Sequence, residues 1–371
     1  MIYLDHNASS PLEPSVLEAM LPYLGKLYGN PSSLHRLGRI GRSAIDKARS
    51  QVAALAGADP SAVIFTSGGT EANNLGIKGL AAKLPTGSLA VGATEHPSVS
   101  APAARLALKG WDLFNLAVDS DGLLRDESVA NLSARQPRFA SVMLANNETG
   151  VIQDVSALAC GLRERGGYLH CDAVQAAGKI PVDFAGLGVH LLTLSSHKIY
   201  GPKGAGALVI DKSLELEPLL EGGGQERNVR SGTENVAAIV GFGKAAELAL
   251  AGLEARASHL LALRQQLEAG LARIPGIRVF AQNAPRLPNT VQFGLSGMDG
   301  EALLMALDRK GFAVSSGSAC ASGAGEPSPV LLAMGVDAES AKGAIRVSLG
   351  KDNTAAEVDA FLAALNTIAS R

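Results

Sequence analysis

A lysine closes the polar run Ser195-Ser196-His197-Lys198, directly after the apolar, strand-like segment Val189 to Leu194 and directly before Ile199-Tyr200-Gly201-Pro202-Lys203-Gly204. A primary amine held at a strand end can form an imine with a carbonyl, and the neighbouring hydroxyl and imidazole groups can grip a phosphate. Those are the demands pyridoxal phosphate (PLP) makes of a protein. A lone lysine opening a Gly/Pro turn is more often a solvated surface residue. The assignment therefore depends on partners elsewhere in the chain.

Twenty-six residues earlier, Tyr168-Leu169-His170-Cys171-Asp172 is a second apolar run that ends on an acid. A carboxylate in that place can pair with a protonated pyridine nitrogen and keep the ring an electron sink. Upstream, Ala62 to Thr66 reads as a strand leading into Ser67-Gly68-Gly69-Thr70-Glu71-Ala72-Asn73-Asn74, a glycine turn and a helix start. Backbone N–H groups at such a turn converge on a phosphate, and Thr70 adds a hydroxyl. A Gly-Gly pair alone is usually a plain turn; strand end, helix start and a lysine-bearing strand together are far more specific. The short strand Ala90 to Ala93 runs into Thr94-Glu95-His96-Pro97, where His96 can lie over a flat ring or move protons near neutrality; a helix-capping histidine is the alternative. Ala140 to Ala145 leads similarly into Asn146-Asn147, and Asn147 and Gln175 are candidate donors to the ring's phenolic oxygen.

A second constellation lies downstream, in Val314-Ser315-Ser316-Gly317-Ser318-Ala319-Cys320-Ala321-Ser322-Gly323-Ala324-Gly325-Glu326. From Ser315 to Glu326 no large apolar side chain is present to offset the entropy of ordering the backbone, so the sequence predicts a mobile loop. A thiol among serines, glycines and alanines is expected to be exposed and reactive. Cys160, in a helical pattern, and Cys171, in a strand, are expected to fill the core.

The elements that must position these groups read as α/β throughout. Residues 13 to 57 form two helical stretches around the Gly29-Asn30-Pro31 turn, and from about 62 to 210 β-rich runs alternate with helical ones, the pattern of a mostly parallel sheet covered on both faces. The candidate groups recur at the ends of the strand-like runs, where open α/β sheets place their ligands. Residues 233 to 274 are helical, and the domain change is placed near 245. The expected organisation is a large domain over 13–245 and a smaller α+β domain made of 1–12 and 246–371, which carries the cysteine loop at about 315–329.

With these motifs in place, the chain resembles the cysteine desulfurases of the NifS/IscS type, within the class V aminotransferase group. The likeness runs from Tyr3-Leu4-Asp5-His6-Asn7-Ala8-Ser9-Ser10-Pro11 through Gly29-Asn30-Pro31-Ser32-Ser33, Ser195-Ser196-His197-Lys198, Glu221 to Arg227 and Arg230-Ser231-Gly232-Thr233 to Ser315-Ser316-Gly317-Ser318-Ala319-Cys320 and Ile345-Arg346-Val347. The resemblance implies PLP fold type I with a mostly parallel seven-stranded sheet. It implies that Lys198 holds PLP, Asp172 pairs with the pyridine nitrogen and His96 stacks on the ring. Gly69, Thr70, Ser195 and His197 would bind the phosphate, and Thr233 would reach the phosphate of the other protomer in a homodimer. Asn147 and Gln175 would bracket the phenolic oxygen, and Arg346 and Asn30 would bind the substrate. Arg346 suits the part unaided, since a guanidinium takes a carboxylate through two parallel hydrogen bonds. The implied reaction takes sulfur from L-cysteine, leaves L-alanine and a persulfide on Cys320, and passes the sulfur to an acceptor protein or iron–sulfur scaffold. No resident metal is implied, though Cys320 could transiently ligate a cluster. A free thiol with a pKa of about 8.5 is only partly thiolate near neutrality, so local positive charge or a proton acceptor such as His96 must assist it. Ala-Ser-Ser-Pro stands where relatives often have Ala-Thr-Thr-Pro. A selenocysteine lyase, or a class V enzyme passing amino groups to 2-oxo acids, would share the PLP machinery without needing the thiol.

Composition agrees with a compact enzyme. The chain has 371 residues, 47% of them hydrophobic, 42 glycines and 18% charged residues, which excludes a disordered or fibrous chain. A net charge of -2 offers no global attraction to nucleic acid. The N-terminal residues lack a basic leader, and no stretch supplies the ~20 apolar residues of a membrane span. Three cysteines with one reactive thiol suit a reducing compartment, so a cytoplasmic location is expected.

Overall fold

The computed structural model describes residues 1–316 and 326–370, and Cys320 lies outside the described residues. Its larger sheet has seven strands in the order Val63–Thr66, Gly206–Ile210, Leu191–Ser195, Tyr168–Asp172, Phe139–Ser141, Ser88–Gly92 and Asp112–Leu116. Gly206–Ile210 runs antiparallel to both neighbours, and the other adjacent pairs are parallel. The inner strands read as nearly unbroken apolar runs because helices cover both faces. Val63–Thr66 and Leu191–Ser195 are buried along their whole length. On one face the helices Arg36–Ala56 and Val236–Ala251 pack around Ile45, Val52, Phe65 and Phe242; on the other, Leu75, Leu89, Trp111 and Phe139 form a separate cluster. Fully burying one such side chain stabilises the fold by ~1.5–3 kcal/mol.

A four-stranded antiparallel sheet, Ser315–Ser316, Ala344–Ser348, Thr290–Leu295 and Ile277–Val279, forms a second layer. Its core gathers Leu260, Leu267, Phe293, Ile345 and Phe361, and Leu4 from the N-terminal segment joins it. The helices Val236–Ala251 and Leu253–Leu271 meet at a 71° bend. Along this helix pair, the buried residues up to Ala249 belong to the first core and those from Leu260 to Leu271 to the second. Residue 245 thus falls inside a helix of the first core, and the change of core comes at Gly252. Among the described residues no single helix is long and apolar enough to cross a membrane.

Cys171 is buried, as its strand position predicts, but Cys160 is exposed. The helix Val155–Arg163 buries Val155, Leu158, Ala159 and Leu162. Cys160 falls off that stripe.

Between the central strands sits His170, fully buried, with Nδ1 at 2.8 Å from Ser141 Oγ and Nε2 at 3.0 Å from Thr193 Oγ1. Burial, only partly opposed by Asp172, lowers its pKa to about 4. The unfolded chain takes up this proton near pH 6.5 and the folded chain only near 4, so the stability His170 contributes is present above pH 6.5 and lost as pH falls toward 4. Buried Glu95 and Glu148, whose carboxyls are raised, act in the opposite sense. In urea titrations, the His170→Gln variant is therefore expected to lose ~2 kcal/mol less stability than the parent between pH 7 and pH 5.

Candidate active site

A cavity of about 270 Å³ opens where the strands Val63–Thr66, Tyr168–Asp172 and Leu191–Ser195 end. Gly69, Thr70, His96, Asn147, Asp172, Gln175, Ser195, His197, Lys198 and Arg346 all line it. The sequence assigned these ten residues from six separate segments, and the sheet brings them to one place. Asn30 and Thr233 are not among the lining residues. Both are exposed, and Asn30 Oδ1 accepts the Ser32 N–H at 2.9 Å across its own turn.

The floor beneath Thr70 needs two glycines. Gly68 has φ 155° and ψ 178°, a conformation open essentially to glycine alone. Gly206, paired with both Thr66 and Ser195, lies so close below that a Cβ there would stand 2.5 Å from the Gly68 carbonyl carbon. The helix beginning at Gly69 continues through a π-type turn, Leu75–Gly79, to Lys83. Its first N–H groups have no intrahelical partner and face an anion well.

Lys198 is strapped from the opposite side by the N-terminal segment. Its Nζ donates to the carbonyls of Asn7 at 2.6 Å and Ala8 at 2.8 Å. Ser10 Oγ donates to the His197 carbonyl at 2.8 Å and accepts the Tyr200 N–H at 2.7 Å, while Ser9 Oγ lies 3.2 Å from His197 Nδ1. Both serine hydroxyls of the opening motif are thus engaged, and Tyr200 is held at φ 65°, where a bulky residue is strained. Burial and the charges of Lys198 and Lys203 lower the His197 pKa to about 4, so its ring is neutral at pH 7.

Asp172 is buried, and both of its oxygens are used: Oδ1 accepts the Val174 N–H at 2.9 Å and Oδ2 the Asn73 amide at 2.7 Å. His96 caps the helix Pro97–Ala107, its Nδ1 accepting the Ser98 N–H at 3.0 Å. Burial, opposed by Asp172 and assisted by Lys198, lowers the His96 pKa.

Arg346 is almost wholly buried on the strand Ala344–Ser348. Its Nη2 pairs with Asp5 Oδ1 at 2.6 Å and its Nη1 donates to the Asn147 carbonyl at 3.1 Å, while its buried Nε has no partner among the described residues. The register sets Arg346 opposite Ser315. On the far side of residues 317–325, Ser328 Oγ donates to Glu148 Oε2 at 2.5 Å. Burial raises the Glu148 carboxyl, against the pull of Ser328, Arg346 and Gln292.

Four residues of the site have no role assigned from sequence: Asn7, Asn73, Ser98 and Lys179. Lys179 is buried, and its Nζ donates to Asn7 Oδ1 at 2.8 Å and Gln175 Oε1 at 2.7 Å. That bond fixes the orientation of the Gln175 amide, whose Nε2 donates to the Asn7 carbonyl at 3.0 Å. Burial, together with the charges of Lys198 and Arg346, pushes the Lys179 ammonium well below its usual range. The spacing of Lys179 and Gln175, four apart in a helical turn, was the one signal available.

The class-V aminotransferase family model matches residues 2–361. A cysteine desulfurase of Nostoc sp. is 43% identical over 374 residues, covering 100% of this chain and 93% of that protein. A solved NifS-like protein superimposes with a TM-score of 0.93 at 37% identity, covering 100% of this chain and 99% of the other, and a structure described as SspA in complex with cysteine gives 0.83 at 30%, covering 95% and 100%. The chain belongs to the class-V aminotransferase family, and its cofactor is PLP. The site fits that group. A glycine-floored well at a helix start suits the phosphate, a buried carboxylate suits the pyridine nitrogen, and an amine and a guanidinium whose Nε–H has no partner among the described residues line the same cavity.

Lys179→Met leaves Gln175 Oε1 without its buried donor and Asn7 Oδ1 with Asn289 Nδ2 alone. A buried acceptor left unsatisfied costs ~1–3 kcal/mol, so the variant is expected to bind PLP roughly tenfold more weakly. Absorbance titration of the cofactor-stripped protein checks this.

Proposed function

We infer that the chain is a PLP-dependent cysteine desulfurase that takes sulfur from L-cysteine onto Cys320. The observation that carries this reading is the shared wall: Arg346 lines the cavity, and the described residues on either side of Cys320, Ser315–Ser316 and Ser328, are tied to Arg346's own strand and to Glu148 beside it. An aminotransferase or a selenocysteine lyase has no need of the Cys320 thiol.

Bound PLP supplies an electron sink for the substrate carbon next to the carboxylate. The unpartnered Nε–H of Arg346 receives the L-cysteine carboxylate beside Asp5. Lys198, the PLP anchor, is the amine placed to take the α-proton, and Asp172, held by Asn73 and Val174, keeps the pyridine side of the well negative. Ser195, Thr70, His197 and the Gly69 N–H would hold the phosphate, Asn147 and Gln175 would serve the phenolic oxygen, and His96 would stack on the ring. The Cys320 thiolate attacks the substrate sulfur; an S–S bond forms as the C–S bond breaks, and the carbon skeleton leaves as L-alanine.

The active form is a homodimer. Leu17, Leu21 and Leu24, at i, i+4 and i+7 of the helix Pro14–Gly25, are exposed together with Leu12, Tyr28 and Leu34, an apolar strip of the kind that marks a protein contact. Asn30 and Thr233, which line no part of this chain's cavity, contribute to the site formed with the second copy. The persulfide passes to an acceptor protein or iron–sulfur scaffold, and a thiol in this role places the enzyme in the cytoplasm.

After exposure of the holoenzyme to L-cysteine, mass spectrometry is expected to find one extra sulfur on the Cys320 peptide, with L-alanine released. Cys320→Ser should abolish the added sulfur. Lys198→Ala should cut alanine release by at least ~100-fold, the lower range for losing a positioned acid–base group. Undiminished desulfuration in Cys320→Ser would exclude the reading, as would steady amination of 2-oxo acids as the main activity.

A further inference from the structure

His96 is joined to Asp172 by a chain of hydrogen bonds whose direction is fixed by counting protons. Asp172 Oδ2 can only accept, so the Asn73 group 2.7 Å away is its NH2 and not its carbonyl oxygen. The second proton of that NH2 goes to Ser98 Oγ at 2.8 Å. Ser98 Oγ thereby receives a bond and keeps its own proton to give, and His96 Nδ1 stands 2.7 Å from it. The same nitrogen also accepts the Ser98 backbone N–H at 3.0 Å. Two donors converge on Nδ1, which is therefore the unprotonated nitrogen. Reversing the Asn73 amide would set its oxygen against the carboxylate. The present orientation instead leaves Asn73 Oδ1 buried without a partner among the described residues, a cost the protein bears to keep the NH2 between Asp172 and Ser98.

We propose that Asn73 and Ser98 are positioning residues that lock His96 as its Nε2–H tautomer, so that the imidazole over the cofactor well presents a proton donor and not a base. This rests on the cofactor seat described above and alters the part expected of His96 from sequence: with Nδ1 occupied by two donors and Nε2 already carrying its proton, the ring has no lone pair to offer the thiol of Cys320. The lowered His96 pKa agrees, since the cationic form would require Nδ1 to surrender both bonds. Thiolate formation then depends on other groups, and proton movement at the substrate carbon falls to Lys198.

The test is the 15N spectrum of the holoenzyme labelled at histidine, with the His96 signals assigned by their loss in His96→Gln. At pH 7.5, Nδ1 is expected at the shift of an unprotonated ring nitrogen and Nε2 at that of an N–H. Ser98→Ala is expected to move the Nδ1 signal and to lower turnover about fivefold, the worth of one neutral hydrogen bond, and Ser98→Thr, which keeps the hydroxyl, to restore both. Asn73→Ala, which removes no contact of His96, is also expected to move the Nδ1 signal. A protonated Nδ1 in the parent protein, or an Nδ1 signal unmoved by both Ser98→Ala and Asn73→Ala, would overturn the proposal. The nitrogen signals report the tautomer whether or not the enzyme proves to be a desulfurase, so the two readings fail separately.

Discussion

The active centre depends on Asn7. Its carbonyl accepts from Lys198 Nζ and Gln175 Nε2, its Oδ1 accepts from Lys179 Nζ and Asn289 Nδ2, its Nδ2 donates to Thr290 Oγ1 and the Asn147 carbonyl, and its backbone N–H reaches Ser348 Oγ. One short side chain and its peptide groups thus join the strand ends of the large sheet to both inner strands of the small one. The segment can do this because Leu4 anchors it in the second core while Asp5 binds Arg346. Each of these polar atoms would be costly to bury alone. Satisfied together, they set the amine, the amide and the guanidinium relative to one another.

Charge around the cavity follows from how each group is buried. Asp172 has two N–H donors, the Val174 backbone and the Asn73 amide. Glu95, one residue before His96, has a single donor, the Met143 N–H at 2.6 Å, and a buried oxygen without a partner; burial and the neighbouring Asp172 raise its carboxyl well above the usual range. Lys179 is pushed toward the neutral amine by the same low-dielectric surroundings.

Much of this was legible in the sequence because it is local. A lysine after an apolar run, an acid ending another, and glycines between strand and helix each follow from strand-end geometry, and the register that aligns Asp172 with Thr193 converts those separate signals into one site. The strands Val63–Thr66 and Leu191–Ser195 fall where apolar patterning puts them. What the sequence could not disclose is non-local. Lys179 reads as a turn lysine because nothing nearby reveals its burial beneath the N-terminal segment. Asn73 reads as an ordinary helical amide until Asp172, 99 residues away, is set beside it. The change of core at Gly252 was hidden by an uninterrupted helical composition, and Cys160 was misplaced because a one-residue step around a helix exchanges core for solvent.

Arg346 shows why a buried charge can be retained at a site that gains little stability from it. Its pair with Asp5 removes two ions from water, and such pairs often do no better than apolar residues of the same volume. Stability alone would not keep it. The pair engages Nη2 and leaves Nε, the other nitrogen of the same edge, without an acceptor. A substrate carboxylate arriving there meets a donor already desolvated and already oriented, so that part of the cost of ordering the contact is met in folding and not in binding.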